Sequence, residues 1–199
     1  MMNLVLLWTS WCALHSLLIS RPFQAAAAGM MGRRFPLYRL LYVALSCVTL
    51  VPVLLYQLWL PAQVLVAPTF VWRAGQALLL LYGGYMMLAG ARSYDMAYFL
   101  GLRQLRAFRH REEPPPPALK TEGILARVRH PWYSGGIALV WGVGTCTDVY
   151  LASRVVLTAY FLVGTLLEEA RLKRELGEPY LAYCRRVPML IPRLGGTGE

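Results

Sequence analysis

The fold class this sequence predicts is an all-α integral membrane protein with five transmembrane helices. Three observations predict it. Of the 199 residues, 57% are hydrophobic and only 15% charged, with a positive mean hydropathy. A soluble domain of that length would need far more polar surface over its core. The apolar residues fall into five blocks, and the cations cluster in every second gap between them. The formal charge of +10, from 20 Lys and Arg against 10 Asp and Glu, would suggest nucleic acid in a soluble protein. Here its placement in loops explains it, and no nucleic-acid partner is expected.

The blocks justify themselves in order. Residues 3–20 follow no basic stretch and no small-residue cleavage site, so they read as a retained span rather than a leader. Residues 39–60 and 71–91 form the second and third. Each approaches the roughly 20 residues a helix needs to cross about 30 Å of hydrocarbon. Residues 133–149 and 151–167 are separated by almost nothing and predict a tight helical hairpin turning near Thr145-Cys146-Thr147-Asp148. Eighteen of the 20 cations follow the first, third or fifth block, and only Arg73 and Arg154 lie near the other side. The positive-inside rule then puts the N-terminus outside and the C-terminus in the cytoplasm, in what reads as a bacterial inner membrane.

The cytoplasmic parts are the loop 92–129 and the tail from residue 168, both carrying short helices. Pro114–Pro117 must break any helix and act as a stiff spacer of roughly 12 Å. Residues 168–176 read as the fifth helix continuing into water until Gly177 stops it. Glu178-Pro179 starts another short helix through Arg186. The chain divides into a three-helix membrane part with its loop and linker, 1–118, and a C-terminal core, 119–199. The four cysteines and three histidines are scattered, with no metal-ligand spacing, so the cysteines read as packing residues and no metal is expected.

Chemistry concentrates at the membrane border. In Arg129-His130-Pro131-Trp132-Tyr133-Ser134-Gly135-Gly136, proline permits a helix only from its own position. Arg129 and His130 therefore sit on a bend at the mouth of the fourth span. The orphan N–H groups of the first turn favour an anion such as a carboxylate. The plainer alternative is an interfacial belt. Glu168 and Glu169 end the fifth span, where adjacent acids are costly unless paired or facing a ligand. Pairs of Glu169 with Lys173 and of Glu168 with Arg171 are available, but side chains about 100° apart cannot share one face. The hairpin puts His130 and Glu168 at one membrane level. Tyr180 and Tyr183 lie on one face of the tail helix, placed to close over a ring or to pack. His15, beside Ser16 in the first span, is an ionisable group in an apolar helix. Arg39 and Gln104 are weaker candidates, readable as a positive anchor and a helix cap.

These elements carry a resemblance. Arg129-His130-Pro131-x-Tyr133-x-Gly135, then Glu168-Glu169-x-x-Leu172, Gly177-x-x-Tyr180-x-x-Tyr183 and Val187-Pro188-Met189-Leu190-Ile191-Pro192, resemble the C-terminal core of the membrane methyltransferases. That group includes the isoprenylcysteine carboxyl methyltransferases and the phospholipid N-methyltransferases. In the N-terminal half, His15-Ser16-Leu17-Leu18, Tyr38-Arg39-Leu40-Leu41-Tyr42 and Phe99-Leu100-Gly101-Leu102-Arg103-Gln104 are similar to the bacterial methanethiol S-methyltransferases.

The resemblance implies S-adenosylmethionine as cofactor, leaving as S-adenosylhomocysteine. Its contacts would be His130, Pro131, Tyr133, Gly135, Glu168, Glu169, Tyr180 and Tyr183. Arg129, His130 and Glu168 become the candidates for catalysis, and His15, Ser16, Arg39 and Gln104 for the acceptor side. The expected partners are the lipid bilayer and a small or lipophilic acceptor, foremost a thiol. Methylation of a prenylcysteine carboxyl or a lipid amine is the same chemistry on another acceptor. A non-catalytic denitrification-associated membrane protein is a reading of another class. Membrane sterol reductases, which use NADPH, share part of the motif, but they carry asparagine and an acid where this chain has Trp132 and Gly136.

Overall fold

The computed structural model describes residues 1–112 and 119–193. Its α-helices are α1 (Met2–Ile19), α2 (Arg21–Met31), α3 (Tyr38–Trp59), α4 (Phe70–Ser93), α5 (Met96–Phe99), α6 (Leu102–His110), α7 (Pro131–Gly142), α8 (Asp148–Leu176) and α9 (Glu178–Arg186). Short 3-10 turns span Gly32–Leu37 and Gly123–Ala126. The described residues form no strand beyond one isolated bridge, Val64 with Thr147. The expected proline spacer at 114–117 lies outside the described residues.

Four helical segments are long and apolar enough to cross a membrane: Met2–Ile19, Arg21–Trp59, Phe70–Ser93 and Asp148–Leu176. Their side chains suit that solvent. Val48, Leu58 and Leu81 each leave about two thirds or more of their surface uncovered, which is tolerable against lipid tails and costly against water. The molecule is an all-helical integral membrane protein. The second segment is longer than the expected 39–60 because α2, rich in alanine, is itself helical.

By packing, the chain forms two units. The first contains residues 1–62 and 95–112, and the second contains 63–94 and 119–193. The packing thus groups α4 with the C-terminal hairpin, whereas the sequence division at 118 and 119 keeps it with the first two spans. In the first unit α1 packs on α3, and α6 on the Gly32–Leu37 turn. Asp95 caps α5 by accepting from the Tyr98 amide at 3.0 Å and pairs with Arg103 at 2.9 Å. In the second unit α7 packs on α4 and on α8, and α8 in turn packs on α9.

The α4–α7 contact is made by small residues. A Cβ on Gly83 would lie 2.7 Å from Leu139, one on Gly135 would lie 2.8 Å from Met86 Cβ, and one on Gly142 would lie 2.9 Å from Leu80. Gly83 and Gly90 are seven residues apart, as are Gly135 and Gly142, so each pair returns to the same face after two turns. Close backbone approach through such residues is the usual way apolar helices associate where no hydrophobic effect drives them.

The helical hairpin is present, with residues 143–147 between α7 and α8. The fourth block nevertheless ends as a helix at Gly142, seven residues before the expected limit. At 1.5 Å per residue its 12 residues span only about 18 Å. The cause is visible at its end. Gly144 takes φ +75°, a conformation that suits glycine. Arg154 then fastens the freed carbonyls, donating to Val140 O at 3.2 Å, Val143 O at 2.8 Å and Gly144 O at 3.1 Å. Arg154 is 1% exposed, so this cation near the hairpin turn serves as a buried helix cap.

Helix α8 behaves as read. Thr147 caps it by accepting from the Tyr150 amide at 3.2 Å, and Gly177, at φ +60°, ends it. Its 29 residues reach about 43 Å, more than a bilayer's hydrocarbon. Its last turns, from Glu168 to Leu176, are the charged ones.

Candidate active site

His130 is the N-cap residue of α7, and Pro131 occupies the first helical position. The bend is fixed by the tail. The Arg129 amide donates to Pro188 O at 2.9 Å and the His130 amide to Met189 O at 3.1 Å. Tyr183 donates its hydroxyl to Leu125 O at 2.5 Å. The Val-Pro-Met segment after α9 is thus laced to the chain just before α7.

Inside this clasp sits one carboxylate. Arg129 meets Glu169 in a two-pronged pair, Nε to Oε1 at 2.8 Å and Nη2 to Oε2 at 2.9 Å. His130 Nε2 reaches the same Oε1 at 2.8 Å, and Tyr180 donates to it at 2.7 Å. Cys184 Sγ and Lys173 Nζ approach Oε2 at 3.6 Å. The remaining Arg129 nitrogen donates to the carbonyls of Cys184, at 3.2 Å, and Val187. A buried charge is tolerable only when so completely paired. Burial works against the Arg129 charge, but the Glu169 hydrogen bonds outweigh it and raise the guanidinium pKa.

Glu169 and Arg129 therefore form the frame of the site, and their charges are spent on each other. The tyrosines behave likewise. Tyr180 is 1% exposed and Tyr183 3%, so they share one face of α9 as expected but turn it inward. Burial, followed by the Glu169 hydrogen bond, raises the Tyr180 phenol far above its usual range. Burial also pushes Tyr183 up to about 12. Both hydroxyls are held as donors. Gly135 serves the α4–α7 contact, and Pro131 is buried at the start of α7.

Glu168 differs. Its side chain is 32% exposed against 4% for Glu169. Oε2 lies 3.8 Å from His130 Nδ1, and Oε1 lies 3.5 Å from Arg171 Nη2. The Tyr133 ring stands 5.6 Å from the His130 ring, and the Glu168 charge acts on its hydroxyl. Tyr94 borders the same carboxylate, and its phenol is raised first by burial and then by the Glu168 charge. Four side chains, His130, Tyr133, Glu168 and Arg171, so present one half-open polar cluster. Both helical pairs anticipated from spacing are present, at 3.5 Å and 3.6 Å.

The other candidates belong to the first unit. His15 Nδ1 lies 3.0 Å from Ser46 Oγ, and its Nε2 lies 2.7 Å from the Tyr42 hydroxyl. Trp11 stacks on the imidazole at 5.2 Å. Arg39 lies over Tyr42 and Phe99, at 5.4 Å and 5.0 Å. Arg39 Nε donates to Phe99 O at 2.8 Å and Gln104 Nε2 to Tyr98 O at 3.1 Å. These two side chains thus hold successive carbonyls at the end of α5. Ser16 is half-buried on α1. The sequence reading missed Tyr42 and Ser46, although their spacing of four on α3 is the signal of a shared face. It also missed Tyr94, Arg171 as a site member and Cys184.

The geometry can be set beside known proteins. A methanethiol S-methyltransferase from a Pseudomonas species is 33% identical over 196 aligned positions, covering 88% of this chain and 71% of that protein. The methanethiol S-methyltransferase of Crocosphaera subtropica is 31% identical over 184, covering 91% and 70%. Protein-S-isoprenylcysteine O-methyltransferase B of Arabidopsis thaliana is 39% identical over 79 residues, 37% of this chain and 39% of that protein. No family model matches the chain, and no solved structure matches it. The chain belongs to the membrane methyltransferase family that holds the methanethiol S-methyltransferases, and it is a methyl-transferring enzyme.

Proposed function

We infer that this enzyme takes its methyl group from S-adenosylmethionine and delivers it to a small or lipophilic thiol. The observation that carries the donor assignment is the half-open cluster of Glu168, Tyr133, His130 and Arg171 beside a helix start. The residues fit the group. The partly exposed Glu168 carboxylate suits the positive charges of a sulfonium amino acid, while Arg171 and the amides of the first α7 turn suit its carboxylate. When bound, the cofactor supplies an electrophilic methyl on a positive sulfur. The chain's own part is positioning and the exclusion of water. Glu168 and Arg171 orient opposite charges, while His130, held by Glu169, and Tyr133, set between the His130 and Phe161 rings, form walls. Arg129 acts through Glu169 and the tail carbonyls as a positioning residue.

The thiol reading rests on the names of the long-matching relatives. His15, with Ser16 and the Tyr42 and Ser46 hydroxyls around it, is the group we assign to the acceptor, with Arg39 and Gln104 supporting it. Five spans, N-terminus outside, complete the picture. α7 is the fourth, extended by 143–147, whose Gly144 carbonyl also accepts from Gln76 at 2.6 Å. On this reading the cofactor site lies at the cytoplasmic face of a bacterial inner membrane, within a functional core 119–199.

The test is direct. The purified protein in detergent is titrated with S-adenosylhomocysteine by calorimetry, then given labelled S-adenosylmethionine with methanethiol, a prenylcysteine or a lipid amine. Micromolar binding with label in the thiol is expected. Label only in the prenylcysteine or the amine would refute the thiol assignment, and absence of binding would refute the cofactor.

A further inference from the structure

The first unit carries a strongly basic surface that the methyl-transfer site does not use. α6 reads Leu-Arg-Gln-Leu-Arg-Ala-Phe-Arg-His, so Arg103, Arg106 and Arg109 recur every third residue and share a face. Gln104 and Ala107 are buried on the opposite side. Packed against α6 is the Gly32–Leu37 turn, which presents Arg33 and Arg34. All these arginines, with Arg111 at the end of α6, are exposed. Arg103 is neutralised by Asp95. For Arg33, Arg34, Arg106, Arg109 and Arg111, no carboxylate of the described residues lies within ion-pair distance. Five like charges on two touching elements repel one another, which costs stability unless an anion lies over them.

The surroundings name the anion. The turn runs straight into α3, whose exposed leucines and valines face lipid. Phe35 stacks on Tyr38 at 5.6 Å, and Phe23 lies 6.5 Å from Tyr38. This is the amphipathic aromatic belt expected at headgroup level. Leu102, at the start of α6, is 48% exposed, giving that helix an apolar edge beside its arginines. A soluble polyanion would have no use for that edge. A bilayer lipid meets both features, its phosphate on the guanidinium groups and its chains on the apolar side.

We propose that the turn at Gly32–Leu37 and α6 together form a binding surface for the headgroups of anionic phospholipids. Arg33, Arg34, Arg106 and Arg109 are its principal phosphate contacts. The surface holds this end of the first unit to the membrane plane, independently of the donor site and of the acceptor's identity.

The experiment is native mass spectrometry of the full chain in detergent, titrated with phosphatidylglycerol or with phosphatidylcholine. The glycerol lipid is expected to bind at least tenfold tighter. Each of Arg106→Gln and Arg109→Gln should weaken it about fivefold, the effect of one cation at a headgroup surface. Arg106→Lys should retain most of the affinity, and Arg185→Gln, on α9, should change nothing. Unfolding midpoints recorded alongside show whether each variant is folded, and the lysine variant carries the test should a glutamine one fail to fold. Equal binding of the two lipids, or a preference untouched by the α6 variants, would overturn the proposal. So would equally tight capture of soluble glycerol phosphate or an acidic peptide.

Discussion

The two units each hold one histidine in their packing, on opposite principles. In the second unit His130 meets a carboxylate that also binds Arg129 and Tyr180. In the first, His15 meets two hydroxyls and an indole face, and neither α1 nor α3 contains an acid. A carboxylate only accepts, so it requires the proton on His130 Nε2 and leaves Nδ1 toward Glu168. Hydroxyls both give and take, so they serve His15 in either tautomer. The difference follows depth. A carboxylate buried within a span is expensive, whereas at the end of α8 it can be assembled with its cations. One histidine is held through a carboxylate, and the other through hydroxyls and an indole face.

The comparison breaks most readily at Glu169. Glu169→Gln leaves the Arg129 guanidinium buried without its counter-charge, which should cost about 3–5 kcal/mol. Thermal unfolding in detergent should show a large drop, partly recovered in Glu169→Asp. Next comes the frame's support. Gly135→Leu forces a side chain against Met86 and the Gly83 carbonyl, at about 1–3 kcal/mol. Gly84→Leu, whose added Cβ would meet nothing within 4 Å, should leave the midpoint unchanged.

Alkali sharpens the contrast further. The phenols of Tyr180 and Tyr183 have folded pKa values above their unfolded value near 10. The fold thus favours their protonated forms. That stability is fully present below about pH 10 and declines as pH rises toward 12. Unfolding midpoints from pH 8 to 12 should fall less steeply in Tyr183→Phe. The smallest effect is expected in the first unit, where Tyr42→Phe removes one hydroxyl from His15. It should cost about 1 kcal/mol, leave S-adenosylhomocysteine affinity unchanged and raise the KM for the acceptor.

What could be read from sequence was local. Gly177, Glu178-Pro179 and the i,i+3 and i,i+4 pairs of Glu168 and Glu169 are short-range signals, and α8, α9 and both ion pairs lie where spacing put them. The hairpin was legible because two apolar blocks separated by almost nothing permit little else. Long-range closure was not. Arg129's engagement with carbonyls of residues 184 and 187 depends on the tail folding back, which no spacing encodes. The inward face of Tyr180 and Tyr183 follows from the same closure. The capping role of Arg154 was not legible because its partners are backbone carbonyls, which carry no sequence signature. Gly83, Gly90, Gly135 and Gly142 do show a seven-residue interval, a signal that was present and not used.

The central claim is a division of labour between adjacent acids: Glu169 builds the site and Glu168 meets the cofactor. Glu168→Gln tests it most directly, by calorimetric titration with S-adenosylhomocysteine beside an unfolding midpoint on the same sample. The account predicts a midpoint within about 0.5 kcal/mol of the parent and affinity lower by roughly tenfold or more, the loss of one charge-assisted contact. Undiminished affinity, or unfolding as severe as in Glu169→Gln, would contradict it.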